Sequence, residues 1–215
     1  MSNDGMERWA HLYDQRGHAG GFARKTSDER ALVERQTVEE WRRSLEAQSG
    51  LLVTPVVQCE ADPPDFIGQC LGRAITIELV ERVDSELLSE LAGASRQGRL
   101  DETRAQSFDR AQWTSERFVH EIGSVLDKKH AKYGPAGLRV DILVIHTAEP
   151  WLRARFVRDW LRSAKFEPRG SIGNAHLLLT YDPNEGEHWP LFEIYASQKD
   201  SEKLCLGTLT SGQPR

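Results

Sequence analysis

The sequence predicts an α/β fold in which helices flank both faces of a central mixed β-sheet. Helical and strand patterns alternate along the 215 residues in the order helix, strand, hairpin, helix, strand, helix and two strands. Mixed order of this kind is typical of a sheet that combines parallel and antiparallel neighbours. The run "LRVDILVIH" is almost continuously apolar, as expected of a strand buried on both faces.

The composition indicates one globular domain with short additions at its ends. Hydrophobic residues make up 39% and charged residues 28% of the chain, and the net charge of −5 argues against non-specific coating of nucleic acid. No apolar run reaches the roughly 18 residues of a membrane span, and the polar start lacks the apolar region of a secretory signal. Three cysteines without C-x-x-C spacing favour the cytoplasm. We therefore expect an irregular N-terminal arm over 1–26, a single domain over 27–198 and a tail over 199–215.

The first predicted helix carries an acidic residue on its buried face. Ser27 is a candidate N-cap, and Gly50 ends the helix. One apolar stripe follows helical spacing: Val38, Trp41 and Leu45. Glu34 lies four residues before the stripe and therefore on the same face.

A predicted hairpin follows the strand "LLVTPVV" and brings two carboxylates together. The turn is expected over Gly68–Gly72, between "PPDF" and "AITIELV". Alternation along the second strand places Glu78 on the face opposite Ile77, and Asp65 on the partner strand can approach it. Facing carboxylates repel unless a cation lies between them, and oxygen ligands suit Mg²⁺ or Mn²⁺. Surface carboxylates are the alternative interpretation.

A second helix predicts a buried lysine. After a polar stretch at about 84–108, a helix is expected from about Asp109 to Tyr133. Its apolar stripe is Phe118, Ile122, Val125, Leu126 and Tyr133. Lys129 falls in the middle of this stripe, so its amine either has a partner in the interior or extends from a packed stem to solvent.

The last part of the chain contains its most basic segment. Thr147 and Pro150 are expected to open a helix that ends near Ala164, and the strands "AHLLLTY" and "LFEIYA" follow. Four arginines lie on this helix: Arg153, Arg155, Arg158 and Arg162. Either they form a solvated helix face or they contact nucleic-acid phosphates.

These residues resemble the PD-(D/E)XK nuclease superfamily, whose pattern is an acidic residue on the first helix, then P-D, then (D/E)-x-K on the next strand. Here the pattern corresponds to Glu34, Pro64-Asp65 and Glu78-Leu79-Val80, and the element order over about 28–165 is similar. Val80 stands at the lysine position. Some branches carry this lysine on the following helix, where Lys129 lies, with Lys128 as the fallback. The combination also resembles uncharacterised bacterial members of the superfamily.

The resemblance implies a restriction-endonuclease-like core and metal-assisted hydrolysis of DNA or RNA. Asp65, Glu78 and the carbonyl of Leu79 would hold Mg²⁺ or Mn²⁺, and Glu34 would bind a second ion or one of the waters of the first. Lys129 would orient the attacking water or stabilise negative charge. The arginines of the basic helix would contact phosphates, and homodimers are frequent in the family. The alternatives are an inactive nuclease-fold module that binds nucleic acid or a protein, and an α/β interaction domain.

Overall fold

The structure, a computed structural model, describes residues 27–60, 63–83, 113–147, 149, 152–182 and 184–196. The helices in these ranges are α1 (Ser27–Ser49), α2 (Ser115–Tyr133) and α3 (Ala154–Leu161). The strands are β1 (Val53–Gln58), β2 (Phe66–Cys70), β3 (Arg73–Glu81), β4 (Val140–Thr147), β5 (Ile172–Leu179) and β6 (Leu191–Ala196). The predicted arm, the polar stretch at 84–108 and the tail lie outside the described residues.

The six strands form one mixed sheet in the order β1-β2-β3-β4-β5-β6. Strands β3, β4 and β5 are parallel, whereas β1–β2, β2–β3 and β5–β6 pair antiparallel. Parallel neighbours need a crossover connection, and α2 and α3 lie in the two crossovers. The predicted α/β class is confirmed, and the elements within the described ranges follow the predicted order.

Helices cover the sheet from both sides. Buried apolar residues of α2 and α3 pack on one face: Phe118, Ile122, Leu126 and Val157. Helix α1 packs on the other face through its predicted stripe: Val38, Trp41 and Leu45. Because side chains alternate along β3, Ile77 lies in the α1-side core while Val80 packs against the α2-side core. None of the helices in the described ranges is long and apolar enough to cross a bilayer.

The β2–β3 turn is tighter than predicted. Gly68 belongs to β2, and only Leu71 and Gly72 connect the strands. Both connecting residues have positive φ, 50° and 76°, as in the two-residue hairpin turns whose twist matches that of the strands. Gly68 is needed for packing instead, since a Cβ atom there would lie 2.8 Å from Cγ1 of Val53. The sequence signal of a glycine in a strand was therefore misinterpreted as part of the turn.

Two helices begin later than predicted. Helix α2 begins at Ser115, because Thr114 has extended backbone and its hydroxyl accepts a hydrogen bond from the N–H of Arg117. The predicted start at Asp109 lies outside the described residues. Thr147 is the last residue of β4 rather than a helix cap, and α3 begins only at Ala154.

Candidate functional site

Glu78 is the centre of the candidate site. It lies in the middle of β3 with 1% of its surface exposed, and its side chain is directed to the α2 side of the sheet. There Nζ of Lys129 donates a hydrogen bond to Oε1 of Glu78 at 2.6 Å. The structure thus brings together Glu78, which alternation places on the face opposite Ile77, and Lys129, which helical spacing places on the apolar stripe. The partly buried Lys129 has an interior partner, as one of the two interpretations of its stripe required.

Tyr133 completes a three-residue cluster that the sequence did not predict. Its hydroxyl donates to the same Oε1 of Glu78 and accepts a hydrogen bond from Nζ of Lys129 at 3.1 Å. Tyr133 is fully buried. The signal was present, because Tyr133 follows Lys129 by four residues and therefore lies on the same helix face. It was interpreted only as part of the apolar stripe.

The two carboxylate oxygens of Glu78 differ sharply in their hydrogen bonding. Oε1 accepts from both Lys129 and Tyr133, whereas Oε2 is buried and has no hydrogen-bond partner among the described residues. A buried carboxylate oxygen without a partner costs free energy of about 1–3 kcal/mol or more. A buried polar atom without a partner is an exception in folded proteins and calls for a physical explanation.

Asp65 lies beside Glu78 across the hairpin. It directly precedes β2, whose first residue pairs with Ile77, and its Oδ2 accepts a hydrogen bond from the backbone N–H of Leu79 at 2.8 Å. The pKa of the Asp65 carboxyl is raised to about 6, chiefly because the group is buried. The Leu79 N–H and the charge of Lys129 lower this pKa, whereas the negative charges of Glu78 and Glu34 raise it. Like charges in a partly buried site of this kind favour a bound cation.

Glu34 joins the site from α1. Its side chain is largely buried, and its two oxygens accept hydrogen bonds from Nε of Arg30 at 2.7 Å and from the amide of Gln58 at 3.3 Å. The carbonyl oxygen of that amide in turn accepts from Arg35 at 3.3 Å. Gln58, the last residue of β1, was missed by the sequence analysis because strand register cannot be read from a hydrophobic pattern. Glu34 acts on Asp65 through its charge.

The carboxylate oxygens of the site are of the type that binds divalent cations, but the described side chains do not form a complete ligand shell. Asp65 and Glu78 supply hard carboxylate oxygens, and the unpartnered Oε2 of Glu78 is an acceptor that a cation would satisfy. Within the described ranges, however, no group of three or more His, Cys, Asp or Glu side chains is arranged to hold a metal ion. Backbone carbonyl groups, such as that predicted for Leu79, and waters would have to complete the coordination.

The four arginines predicted to contact phosphates lie on and beside α3. All four are exposed. Arg158 forms an ion pair with Glu185 at 2.5 Å, and Arg162 forms one with Asp159 at 3.1 Å. Arg155 lies over the ring of Phe156, and Arg153 has no carboxylate partner among the described residues. Half of the predicted set is therefore already neutralised by neighbouring carboxylates.

Comparison with protein-family models, with curated proteins and with solved structures found no match to this chain. The class of protein that the structure defines is an α/β domain with a six-stranded mixed sheet. Membership of the PD-(D/E)XK superfamily stays a prediction that depends on the residues of the site.

Proposed function

We propose that the protein is a divalent-metal-dependent phosphodiesterase of the PD-(D/E)XK type that acts on DNA or RNA. The observation that carries this proposal is the 2.6 Å contact between Nζ of Lys129 and Oε1 of Glu78. A helix-borne lysine that reaches the strand carboxylate supplies the amine that Val80 cannot supply from β3 itself. The restriction-endonuclease-like arrangement of the core is part of the same proposal.

Each protein group has a defined role in this proposal. A Mg²⁺ or Mn²⁺ ion held by Asp65 and Glu78 would supply Lewis-acid polarisation of a phosphoryl oxygen and acidify a water molecule. Lys129 donates two of its three ammonium N–H groups to Glu78 and Tyr133, and the third has no acceptor in the described part of the chain. That third donor is available to orient a water or to stabilise charge that develops on the phosphate.

The electrostatics of the site also support a cation. Burial and the neighbouring negative charges raise the pKa of Asp65 to about 6, so ionisation of Asp65 is less favourable in the cation-free protein than in water. A divalent ion would reverse the sign of the local potential and favour the ionised carboxylate. Glu34 would act at longer range, since both of its oxygens already accept hydrogen bonds.

A second candidate function is an inactive nuclease-fold module that binds nucleic acid or a protein partner. Two observations favour it. The described residues contain no three-ligand metal group, and Lys129 already compensates the charge of Glu78. In this case the Glu78–Lys129 pair would be a remnant that contributes only to the core.

Thermal unfolding with and without Mn²⁺ separates these functions when it is combined with a cleavage assay on plasmid DNA and on RNA. For the phosphodiesterase we expect Mn²⁺ to raise the midpoint of wild-type unfolding and to support cleavage. Asp65→Ala combined with Glu78→Ala should abolish both effects. A wild-type midpoint that does not respond to Mn²⁺ or Mg²⁺ would contradict the metal site. Binding of nucleic acid without metal-dependent cleavage would favour the inactive module.

A further inference from the structure

We propose that Tyr133 is a positioning residue of this site, which orients Glu78 and Lys129 so that Oε2 of Glu78 is the oxygen available to a divalent cation. This inference depends on the proposed metal site and adds a residue that the superfamily pattern does not contain. It follows from the three hydrogen bonds among these side chains and from the unpartnered Oε2.

The hydrogen bonds of the cluster assign a direction to the Tyr133 hydroxyl. A tyrosine hydroxyl has a single proton, and Tyr133 donates it to Oε1 of Glu78. Its oxygen then accepts from the ammonium of Lys129, which itself donates to Oε1. Oε1 therefore receives two donors and Oε2 receives none. The hydroxyl is the group that holds both partners on the same oxygen.

Packing makes Tyr133 a rigid support for this arrangement. Its ring is completely buried and belongs to the α2-side core together with Leu126 and Val140. Lys129, by contrast, is a flexible side chain with 18% of its surface exposed. A buried ring with two rotatable bonds loses little entropy when it fixes a flexible neighbour.

Loss of the Tyr133 hydroxyl should weaken cation binding without creating a cavity in the core. In Tyr133→Phe the ammonium of Lys129 loses one acceptor, so it can shift toward Oε2 of Glu78 and compete with the cation for that oxygen. Partners that orient a metal ligand without touching the metal typically contribute 10–100-fold to metal affinity. The phenylalanine ring fills the same volume, so the fold is retained.

Tyr195→Phe is a matched control. Tyr195 is also buried, in the same core, and its hydroxyl accepts a hydrogen bond from the backbone N–H of Arg169 at 3.3 Å. Each variant therefore removes one hydroxyl group while it keeps the aromatic ring in the core. Of these two tyrosines, Tyr133 is the one whose hydroxyl is hydrogen-bonded to Glu78 and Lys129.

The test is a titration of the full chain with Mn²⁺, followed by the electron paramagnetic resonance signal of the free ion, with thermal unfolding of every variant as a check on folding. We expect Tyr133→Phe to weaken Mn²⁺ affinity about tenfold or more, whereas Tyr195→Phe changes it less than about twofold. Equal affinity in wild type and Tyr133→Phe, or equal losses in both variants, would overturn the positioning role while the metal site stands. Absence of Mn²⁺ binding in wild type would instead overturn the metal site and this inference together.

Discussion

Asp141 interacts with β3 at Thr76, and Glu78 belongs to β3 itself. Thr76 and Glu78 lie two residues apart on the same face of the strand, but the two carboxylates differ in their hydrogen bonds. Asp141 of β4 faces Thr76, and its Oδ2 accepts hydrogen bonds from both the backbone N–H and the hydroxyl of that residue at 2.8 Å. The hydroxyl also accepts from the N–H of Asp141 at 2.9 Å. Glu78 lies two residues further on. Its Oε1 accepts two hydrogen bonds, and its Oε2 has no partner in the part of the chain that the structure describes.

Asp141 stabilises the sheet, whereas the burial of Glu78 with an unpartnered oxygen costs free energy. Asp141 ties β3 to β4 by local, reciprocal hydrogen bonds. Glu78 is surrounded by a like-charged neighbour, Asp65, and by a lysine and a tyrosine from a different element. Buried groups that are strained or incompletely satisfied occur preferentially at functional sites. We therefore expect Asp141 to serve the structure of the sheet and Glu78 to serve the proposed site.

The largest effect is expected from removal of the Lys129 amine, which donates a hydrogen bond to Glu78. Lys129→Ala should reduce metal-dependent cleavage by on the order of 100-fold, because the site loses the donor that stabilises developing negative charge. Mn²⁺ affinity should rise, since the ammonium no longer competes for Glu78. The measurement is cleavage of plasmid DNA or RNA at saturating Mn²⁺, with Mn²⁺ affinity determined in parallel.

Lys128→Ala is the comparison for this experiment. Lys128 precedes Lys129 and is exposed, so its removal should leave both cleavage and affinity close to wild type. If Lys129→Ala cleaves as fast as wild type, Lys129 is not the migrated lysine. If Lys128→Ala alone loses cleavage, the catalytic amine belongs to Lys128.

A smaller effect is expected in the free energy of unfolding, and its sign should differ between Asp65 and Asp141. The pKa of Asp65 is raised from 3.8 to about 6 in the fold, chiefly by burial. The stability that this group contributes is therefore present below pH 3.8 and is lost as the pH rises through 6. Asp65→Asn, which keeps an acceptor for the Leu79 N–H, should be more stable than wild type at pH 7, and the difference should shrink as the pH falls toward 4.

Asp141→Asn should be less stable than wild type at pH 7 by about 1–3 kcal/mol, because charge-assisted hydrogen bonds to Thr76 are weakened. Urea unfolding in the presence of a chelator between pH 4 and 7 measures both variants. If Asp65→Asn is destabilised at pH 7 to the same extent as Asp141→Asn, the two carboxylates are equivalent structural groups and the comparison fails.

Much of this site could be predicted from periodicity alone. Alternation along β3 assigned Glu78 to the face opposite Ile77, and helical spacing put Lys129 on the buried stripe of α2. These patterns specify faces because side-chain direction repeats every two residues in strands and every 3.6 in helices. The convergence of the two residues then follows because α2 is the crossover between β3 and β4 and packs on that face.

Periodicity could not supply the contacts that depend on single atoms or on strand register. In the periodic pattern, Tyr133 is one more position of an apolar helical stripe, and the pattern does not reveal the contacts of its hydroxyl group. The hydrogen bond between Gln58 and Glu34 requires that the end of β1 meet α1, which no local pattern encodes. The start of α3 was misplaced because Thr147 and Pro150 resemble a cap and a first turn, whereas Thr147 pairs with Leu179 as the last residue of β4.

The smallest expected effect extends the same contrast to the arginines beside α3. Arg153 and Arg155 have no carboxylate partner among the described residues, whereas Arg158 and Arg162 are paired with Glu185 and Asp159. An arginine must give up its carboxylate before it can neutralise a phosphate, so the unpaired residues should contribute more to binding. Each phosphate contact changes the slope of log affinity against log salt by about 0.9 on duplex DNA.

Arg153→Ala and Arg155→Ala should therefore each reduce that slope by about 0.9, and Arg158→Ala and Arg162→Ala by less. Fluorescence anisotropy with a labelled duplex, over a series of salt concentrations and with Ca²⁺ in place of Mn²⁺, measures the slope. Arg43→Ala is the control, because Arg43 lies on α1 and is paired with Glu39 and Glu40. Equal slopes for all five variants and wild type would exclude α3 as a phosphate-binding surface, and the exposed arginines would then be a solvated helix face.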